Sequence, residues 1–259
     1  MDKEKDILGR KINSFASRSF RDVADRDYIA ARLACRARLM PQAMWSAQQC
    51  FEKYLKYILL VNRVPAIKVK HNIAAALKLT EKLSFKVEIS AESREFIDHI
   101  AEYGQFRYLD VSYFIEGPVL LKLDKAIWEL RRYAQVLDVS GKELPADEQG
   151  WLEEAKERLK TSADRPPHEF RLPGGVLEEI LESKKHPARR ALIWQNGYFG
   201  DRKRKSITVP DHWDFSNAPL YLHPEMLDEL EKFVFIPDWL AKAYREHLKK
   251  IQADPSKRP

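Results

Sequence analysis

The chain has 259 residues, of which 32% are charged and 44% are apolar, and its formal net charge is +6. This is the composition of a soluble globular protein, long enough for one large domain or two small ones. No run approaches the ~18 uninterrupted apolar residues of a membrane span, and the first ten residues lack the apolar core of a signal peptide. We therefore expect a cytoplasmic protein without membrane association. The small positive charge permits nucleic-acid binding without requiring it.

Cofactor and metal chemistry finds no support in the sequence. Cys35 and Cys50 each fall on the apolar face of a predicted helix, which favours buried free thiols over a disulfide or a metal site. The histidines of the second half show no metal-ligand spacing with cysteines or carboxylates. A phosphate-binding glycine loop and a serine nucleophile elbow are also missing. We therefore expect no cofactor and no metal.

Hydrophobic periodicity predicts a mainly α protein whose first half is an up-and-down bundle of four or five helices. We place a leading arm or short helix at residues 1–26, the bundle at 27–140, and a less regular, mostly helical C-terminal extension at 150–259. The bundle helices are predicted at 27–39, from Pro41 to about Val61, from His71-Asn72 to Leu83, from Ser90 to Gly104, and from Pro118 to Leu137. Pro41 suits a first helical turn, and Ser90 suits an N-cap.

The C-terminal extension has a different composition from the bundle. Ten of the 14 prolines lie beyond Gly150, so its elements are predicted to be short. We predict helices at 151–160, 175–184, 224–233 and 237–251, with a short strand pair around Ser206–Val209. The sequence leaves open whether this extension packs on the bundle or stands alone.

The second predicted helix has one apolar side and one charged side. Its apolar stripe consists of Ala47, Cys50, Phe51, Tyr54, Leu55 and Ile58. Glu52 and Lys53 fall between these positions, so they form either the free face of the helix or the floor of a cleft. On the preceding helix, Arg32 is expected to lie away from the apolar face.

Three features of the first half resemble the HEPN family, over roughly residues 20–138. The first is the pair of opening helices, with DYIAARL at 27–33 and the QQ-x-x-EKYLK signature at 48–56. The second is His71-Asn72, which opens the third predicted helix. The third is the aromatic run FRYLD at 106–110, which is similar to the A-R-Y-P-D run of the family but has Leu109 where the family often has proline.

This resemblance implies a helical bundle that pairs as a homodimer and binds nucleotides or RNA. Many family members are ribonucleases or toxins in defence systems, often encoded with a small nucleotidyltransferase as partner protein. The catalytic branch carries an Arg-x(4–6)-His pair that cleaves RNA without a metal.

Arg94 and His99 fit the spacing of that catalytic pair, on the fourth predicted helix. About two chance matches are expected in a chain of this composition, so the spacing alone carries little weight. The two side chains lie about 140° apart around the helix axis. In the catalytic interpretation, His99 acts as general base on a ribose 2′-hydroxyl while Arg94 holds the phosphate. In the alternative, both are ordinary exposed residues on a charged helix face.

Two further groups are candidate ligand-binding residues in the first half. His71 follows Lys68 and Lys70 at a helix start, where a phosphate could meet basic side chains and free N–H groups; alternatively it caps its helix or fills the bundle interior. The aromatic segment offers a guanidinium among aromatic rings, which suits base stacking and phosphate binding. Its candidate residues are Tyr103, Arg107 and Tyr108. The structural alternative is that Arg107 pairs with Glu52 and fixes the segment. Lys53 is the remaining candidate for ligand binding.

The densest basic run of the second half is a candidate nucleic-acid-binding loop. It consists of Arg202, Lys203, Arg204 and Lys205. A solvated loop is the alternative for so short a run.

Three hypotheses about function follow from the sequence. The first is a binding protein for RNA or nucleotides, acting with a partner protein in toxin control or defence. The second is a metal-independent ribonuclease that uses Arg94 and His99. The third is a structural dimerisation module without a ligand.

Overall fold

The computed structural model describes residues 2–104, 111–138, 146–200, 206–254 and 256. These residues form two compact units. The described residues of 1–105 and 118–210 form the first unit, and those of 106–117 and 211–259 form the second. The domain bounds predicted from sequence, 1–26, 27–140 and 150–259, differ from this division and stay a prediction.

The first unit is a helical bundle with further short helices packed on it. Its helices are α1 (Asp2–Ala16), α2 (Asp22–Arg36), α3 (Met40–Val61), α4 (Ile73–Leu79), α5 (Ala91–Tyr103), α6 (Val119–Arg131), α7 (Ala146–Thr161), α8 (Val176–Glu182) and α9 (Arg189–Ile193). A π-helical segment, Ser17–Arg21, joins α1 to α2, and 3-10 turns lie at Ile67–Val69, Thr80–Lys82 and Pro167–Glu169. The predicted mainly α fold, with a helical bundle and a mostly helical extension, is confirmed.

Helix α3 is the central element of the bundle, because it packs against α2, α4, α5 and α6. The apolar stripe predicted for it is buried, and Phe51, Tyr54, Leu55 and Ile58 are fully so. Pro41 lies in its first turn, where a missing N–H leaves no hydrogen bond unmade. Both cysteines are buried free thiols, as predicted, and burial raises the pKa of Cys35 to about 12.

Side chains set several helix ends of the bundle. The predicted N-cap Ser90 accepts a hydrogen bond from the Ser93 amide at 3.3 Å and begins α5. Helix α6 ends at Arg131, earlier than the predicted Leu137. There the Asn62 side-chain oxygen accepts hydrogen bonds from the amides of Leu137 and Asp138, at 2.9 and 3.0 Å. Leu137 is buried although it lies beyond the end of the helix.

A buried ion-pair network centred on Arg131 joins the bundle to α8. The guanidinium donates two hydrogen bonds of 2.9 Å to Asp25 of α2 and bonds of 2.8 and 2.7 Å to Glu178 of α8. Asp25 also accepts from the hydroxyl of Tyr54 and from the Leu177 amide. Burial by itself raises the pKa of Asp25, but Arg131 and these hydrogen bonds hold it below its ordinary value.

A second buried pair joins α2, α6 and the α9 segment. Arg32 pairs with Asp124, which also accepts a 2.6 Å hydrogen bond from the Tyr28 hydroxyl. The Arg32 guanidinium further donates to the carbonyls of Ala191, at 3.0 Å, and Trp194. Arg32 is therefore in the core, and the expectation that it lies away from the apolar face is wrong. Its partner on α6 is 92 residues away in the chain, so the helical period of α2 alone could not reveal it.

These two networks connect α8 and α9 to the bundle, and α7 is connected to it by further hydrogen bonds. Arg132 donates a 3.1 Å hydrogen bond to Ser162, just after α7. The Trp128 indole donates to the Pro167 carbonyl at 3.0 Å. Residues of the extension from α7 to α9 thus pack on the bundle, which is one of the two arrangements that the sequence left open.

The second unit contains a two-stranded antiparallel sheet and three helices. The strands are β1 (Tyr113–Gly117) and β2 (His212–Ser216), in a register that pairs Phe114 with Phe215. The helices are α10 (Pro219–Leu222), α11 (Leu227–Leu230) and α12 (Asp238–Ala253), with a 3-10 turn at Pro224–Met226. Its core consists of Ala218, Leu220, Leu227, Ile236, Leu240, Ala241 and Tyr244.

The predicted strand pair around Ser206–Val209 is wrong. Residues 206–211 have no regular secondary structure, and the strand of this region begins at His212. Its partner is β1, about a hundred residues earlier in the chain. None of the described helices is long and apolar enough to cross a bilayer.

The Arg131 network predicts a large loss of stability on removal of the guanidinium. In Arg131→Met, Asp25 and Glu178 stay buried without a counter-charge, so the free energy of unfolding should fall by about 3–5 kcal/mol. Urea unfolding followed by circular dichroism at pH 7 measures this change.

Arg94→Met is the matched control, because it removes a guanidinium from the Arg94–Asp98 pair, whose side chains are half exposed. Its effect should stay below about 1 kcal/mol. Equal losses in the two variants would contradict the role given to the buried network.

Candidate nucleic-acid interface

Glu52 of α3 is a buried carboxylate that holds two basic side chains at the protein surface. Only 6% of its side chain is exposed. Its Oε1 accepts a 2.6 Å hydrogen bond from Lys56, one helical turn later. The same oxygen lies 3.0 Å from Nδ1 of His71, and Oε2 lies 3.2 Å from that nitrogen. Glu52 therefore brings Lys56 and His71 together.

His71 is fixed on one side and open on the other. Its side chain is 81% exposed although Nδ1 contacts a buried carboxylate. Because a carboxylate accepts hydrogen bonds, Nδ1 carries the proton in this contact, and Nε2 stays available to a ligand. Asn72 is the N-cap of α4, since its side-chain oxygen accepts a 2.8 Å bond from the Ala75 amide. His71 thus neither caps the helix nor fills the bundle interior.

The turn before His71 carries two further exposed lysines, Lys68 and Lys70. Lys70 has φ +50° and ψ −110°, a left-handed backbone conformation that costs a non-glycine residue energy. The turn is held on either side by backbone hydrogen bonds, from Val69 to Ala66 at 3.1 Å and from Asn72 to Val69 at 2.9 Å. We call Lys56, Lys68, Lys70 and His71, with Glu52 beneath, the His71 surface.

Lys53 has a different environment from Lys56. Its ammonium group pairs with Asp27 of α2 and lies 3.5 Å from the Gln49 side-chain oxygen. Both members of the Lys53–Asp27 pair are partly buried. Lys53 therefore contributes mainly to the contact between α2 and α3, and its proposed ligand binding stays a prediction.

The aromatic candidates are only partly within the described residues. Tyr103 is the last residue of α5, and its ring centroid lies 4.9 Å from that of His99. Burial raises the pKa of Tyr103, and Glu102 adds to the shift. Arg107 and Tyr108, and the basic run Arg202–Lys205, lie outside the described residues, so their roles stay predictions.

Arg94 and His99 have different surroundings although both lie on α5. Arg94 is half exposed, pairs with Asp98 at 3.2 Å and lines a hollow of about 520 Å³ beside residues 80–89. His99 is not among the lining residues of that hollow. Its Nε2 is buried and has no hydrogen-bond partner among the described residues. Burial, with a smaller contribution from Lys122, lowers the pKa of His99 against the opposing effect of Glu102.

Sequence reasoning identified some residues of the His71 surface and missed their arrangement. It singled out His71 and its lysine neighbours, and it left Glu52 as either a free-face or a cleft residue. The i, i+4 spacing of Glu52 and Lys56 was a usable signal. The contact between Glu52 and His71 spans 19 residues and a turn, so no local pattern reveals it.

The fold and this surface define a helical-bundle protein with a basic, histidine-containing patch. Residues 17–138 match the sequence model of the HEPN domain, so the N-terminal half of the chain is a HEPN domain, as the sequence motifs predicted. The match supports a function related to nucleotides or RNA. Comparisons with curated proteins and with solved structures found no match.

Proposed function

We propose that the His71 surface of the HEPN domain binds RNA or nucleotides through their phosphate groups. The observation that carries the proposal is the contact between buried Glu52 and highly exposed His71. A buried carboxylate is costly unless it is paired, and here one of its two partners is a side chain that is otherwise free in solvent. This arrangement presents an imidazole in one orientation, beside basic side chains.

The charges of this surface favour an anionic ligand. Lys68 and Lys70 are exposed and Lys56 is partly exposed, whereas the single carboxylate, Glu52, is buried below them. Phosphate groups gain from lysine contacts mainly by charge, with release of bound counterions, so affinity should fall as salt rises. His71 adds a directional contact that the lysines do not supply, since its protonated ring donates through Nε2 to a phosphate oxygen while Nδ1 donates to Glu52.

Removal of the turn lysines should weaken RNA binding and its salt dependence together. For Lys68→Ala/Lys70→Ala, we expect the slope of log affinity against log salt to fall by about 0.7 for each lost contact with a single strand. Fluorescence anisotropy with a labelled single-stranded RNA, between about 50 and 200 mM salt, measures both quantities.

Lys184→Ala/Lys185→Ala is the matched control, because it removes two adjacent exposed lysines from the loop between α8 and α9. The control variant should bind RNA as the unchanged protein does. Equal weakening in both double variants, or no RNA binding at the lowest salt, would contradict the proposal.

Glu52→Gln tests whether Glu52 positions His71 and Lys56. That role and simple removal of a negative charge predict opposite changes in RNA affinity. Removal of an acidic group from a basic surface should by itself tighten RNA binding. Since Glu52 holds His71 and Lys56, we expect instead about a 3–10-fold loss of affinity, similar to that of His71→Ala. Thermal unfolding of both variants checks that the fold is intact, and tighter binding by Glu52→Gln would reject the positioning role.

A metal-independent ribonuclease is the second candidate function, and the environment of His99 favours it. The lowered pKa of His99 keeps its imidazole neutral at pH 7, and a general base must be neutral to accept a proton. His71 in its neutral form offers a second possible base, because Glu52 then accepts from Nδ1 and leaves Nε2 as an acceptor. Arg94 donates to Asp98 through Nε, and no hydrogen bond joins it to His99 in the described part of the chain.

An RNA degradation assay in EDTA distinguishes these histidines. If Arg94 and His99 are the catalytic pair, Arg94→Ala and His99→Ala should each lower the cleavage rate at least 100-fold, as for lost general acid–base groups. His71→Ala should then affect RNA affinity more than the rate at saturation. Unchanged cleavage in His99→Ala would reject this assignment, and no cleavage by the intact protein would leave the binding function.

The family resemblance also suggests assembly and partners, and these stay proposals. We propose a homodimer formed through the bundle and a small nucleotidyltransferase-type partner protein in toxin control or defence. A structural dimerisation module without a ligand is the third candidate. It becomes the preferred one if the intact chain forms dimers and binds neither RNA nor nucleotides.

A further inference from the structure

A separate cavity of about 300 Å³ lies in the first unit, among residues that the His71 surface does not use. It is bounded by α1, the π-helical segment, the C-terminal part of α3, the turn after α6, α7, and the Leu172–Pro173 loop. Its volume is at the lower end of the range of small-ligand sites.

The polar part of this cavity is strongly basic. Three arginines contribute to it, namely Arg10, Arg21 and Arg158. The described lining residues include no aspartate or glutamate. Neutral polar groups are supplied by Asn13, Tyr57 and Gln135. Three guanidinium groups around one small cavity favour an anionic ligand.

Two of these arginines are held in place by the surrounding structure. Arg21 donates to the Gly174 carbonyl at 2.5 Å and to Asp22 at 2.9 Å, and its guanidinium lies 5.9 Å from the Tyr57 ring centroid. Arg158 donates to the Gln135 side chain at 3.3 Å and forms a long ion pair of 3.9 Å with Glu154, one turn earlier on α7. Its Nε atom is buried and has no hydrogen-bond partner among the described residues. Arg158 therefore has donor capacity left for a ligand.

The remaining lining is apolar and includes a large aromatic side chain. Trp151 is 62% exposed, although it lines the cavity, and a wholly structural tryptophan would bury more of its surface. The other apolar residues are Leu152, Ala155, Leu172 and Pro173. A ligand that fills the cavity must therefore carry a planar or apolar group beside its anionic group.

We propose that this cavity binds a small phosphate monoester of a planar ring compound. The phosphate, which carries close to two negative charges at pH 7, contacts the arginines, and the ring packs on Trp151 and the neighbouring apolar side chains. This site is distinct from the proposed RNA-binding surface, since the two share no residues. It would give the chain a small-molecule ligand in addition to a polymer.

Isothermal titration calorimetry with the full chain tests the proposal, using 1-naphthyl phosphate, 1-naphthol and inorganic phosphate as probes. The ester should bind at least tenfold more tightly than either of its parts. Arg158→Met should lower the affinity for the ester at least tenfold. Lys156 is an exposed α7 residue outside the cavity lining, so Lys156→Met should leave this affinity unchanged. Trp151→Ala should weaken the binding of the ester and leave the binding of inorganic phosphate unchanged.

Several outcomes would overturn the proposal. They are absence of ester binding at millimolar concentration, equal ester affinity in Arg158→Met and the intact chain, and naphthol affinity equal to that of the ester. Thermal unfolding shows whether Arg158→Met is folded, and Arg10→Met, on an exposed α1 residue, provides a second test of the arginines. RNA binding by both arginine variants should be unchanged, so failure here is separable from failure of the His71 surface.

Discussion

The buried ion pairs of Arg131 with Asp25 and Glu178 are the constraint on which the first unit depends. Asp25 is completely buried and would resist ionisation without a cation beside it. Arg131 supplies that cation from α6, and Glu178 of α8 binds its other edge. Because Arg131 is the cation that pairs with both carboxylates, α2, α6 and α8 meet at this point. Gly175 belongs to the same contact, since a Cβ atom there would lie 2.5 Å from the Arg131 guanidinium.

A buried carboxylate paired with basic side chains also occurs at the surface, where its effect is different. Glu52 is also a buried carboxylate, but its partners, Lys56 and His71, reach solvent. In the core, pairing of charges fixes how helices pack. At the surface, it fixes the orientation of an imidazole that stays accessible to a ligand. The proposed RNA-binding surface is thus an ion-pair contact of the fold that is open on one side.

The helices of the bundle could be predicted from sequence because the residues that determine each helix are close together in the chain. Pro41 and Ser90 set helix starts through their own backbone and side-chain chemistry, and the stripe of α3 follows the helical period. The buried charges could not be predicted in this way. Arg32 and Arg131 enter the core because of partners 92 and 106 residues away. The strand β2 was misplaced for the same reason, since its partner lies far away in the chain.

In the candidate site, too, the residues that are close together in the chain could be predicted, and the contacts between distant residues could not. His71 and its lysines could be singled out as a basic helix start, which is a local pattern. That Glu52 would hold His71 depends on the packing of α4 against α3. The cavity lined by Arg21 and Arg158 depends on contacts across more than a hundred residues, and nothing in the sequence pointed to it.

The most direct test of the account is an NMR titration of the imidazole groups with single-stranded RNA. The chain has seven histidines, and His71→Ala assigns the cross-peaks of His71. The His71 signals should shift on RNA addition, and those of the partly buried His99 should move little. If RNA binds while the His71 signals stay in place, the His71 surface is not where the chain binds RNA.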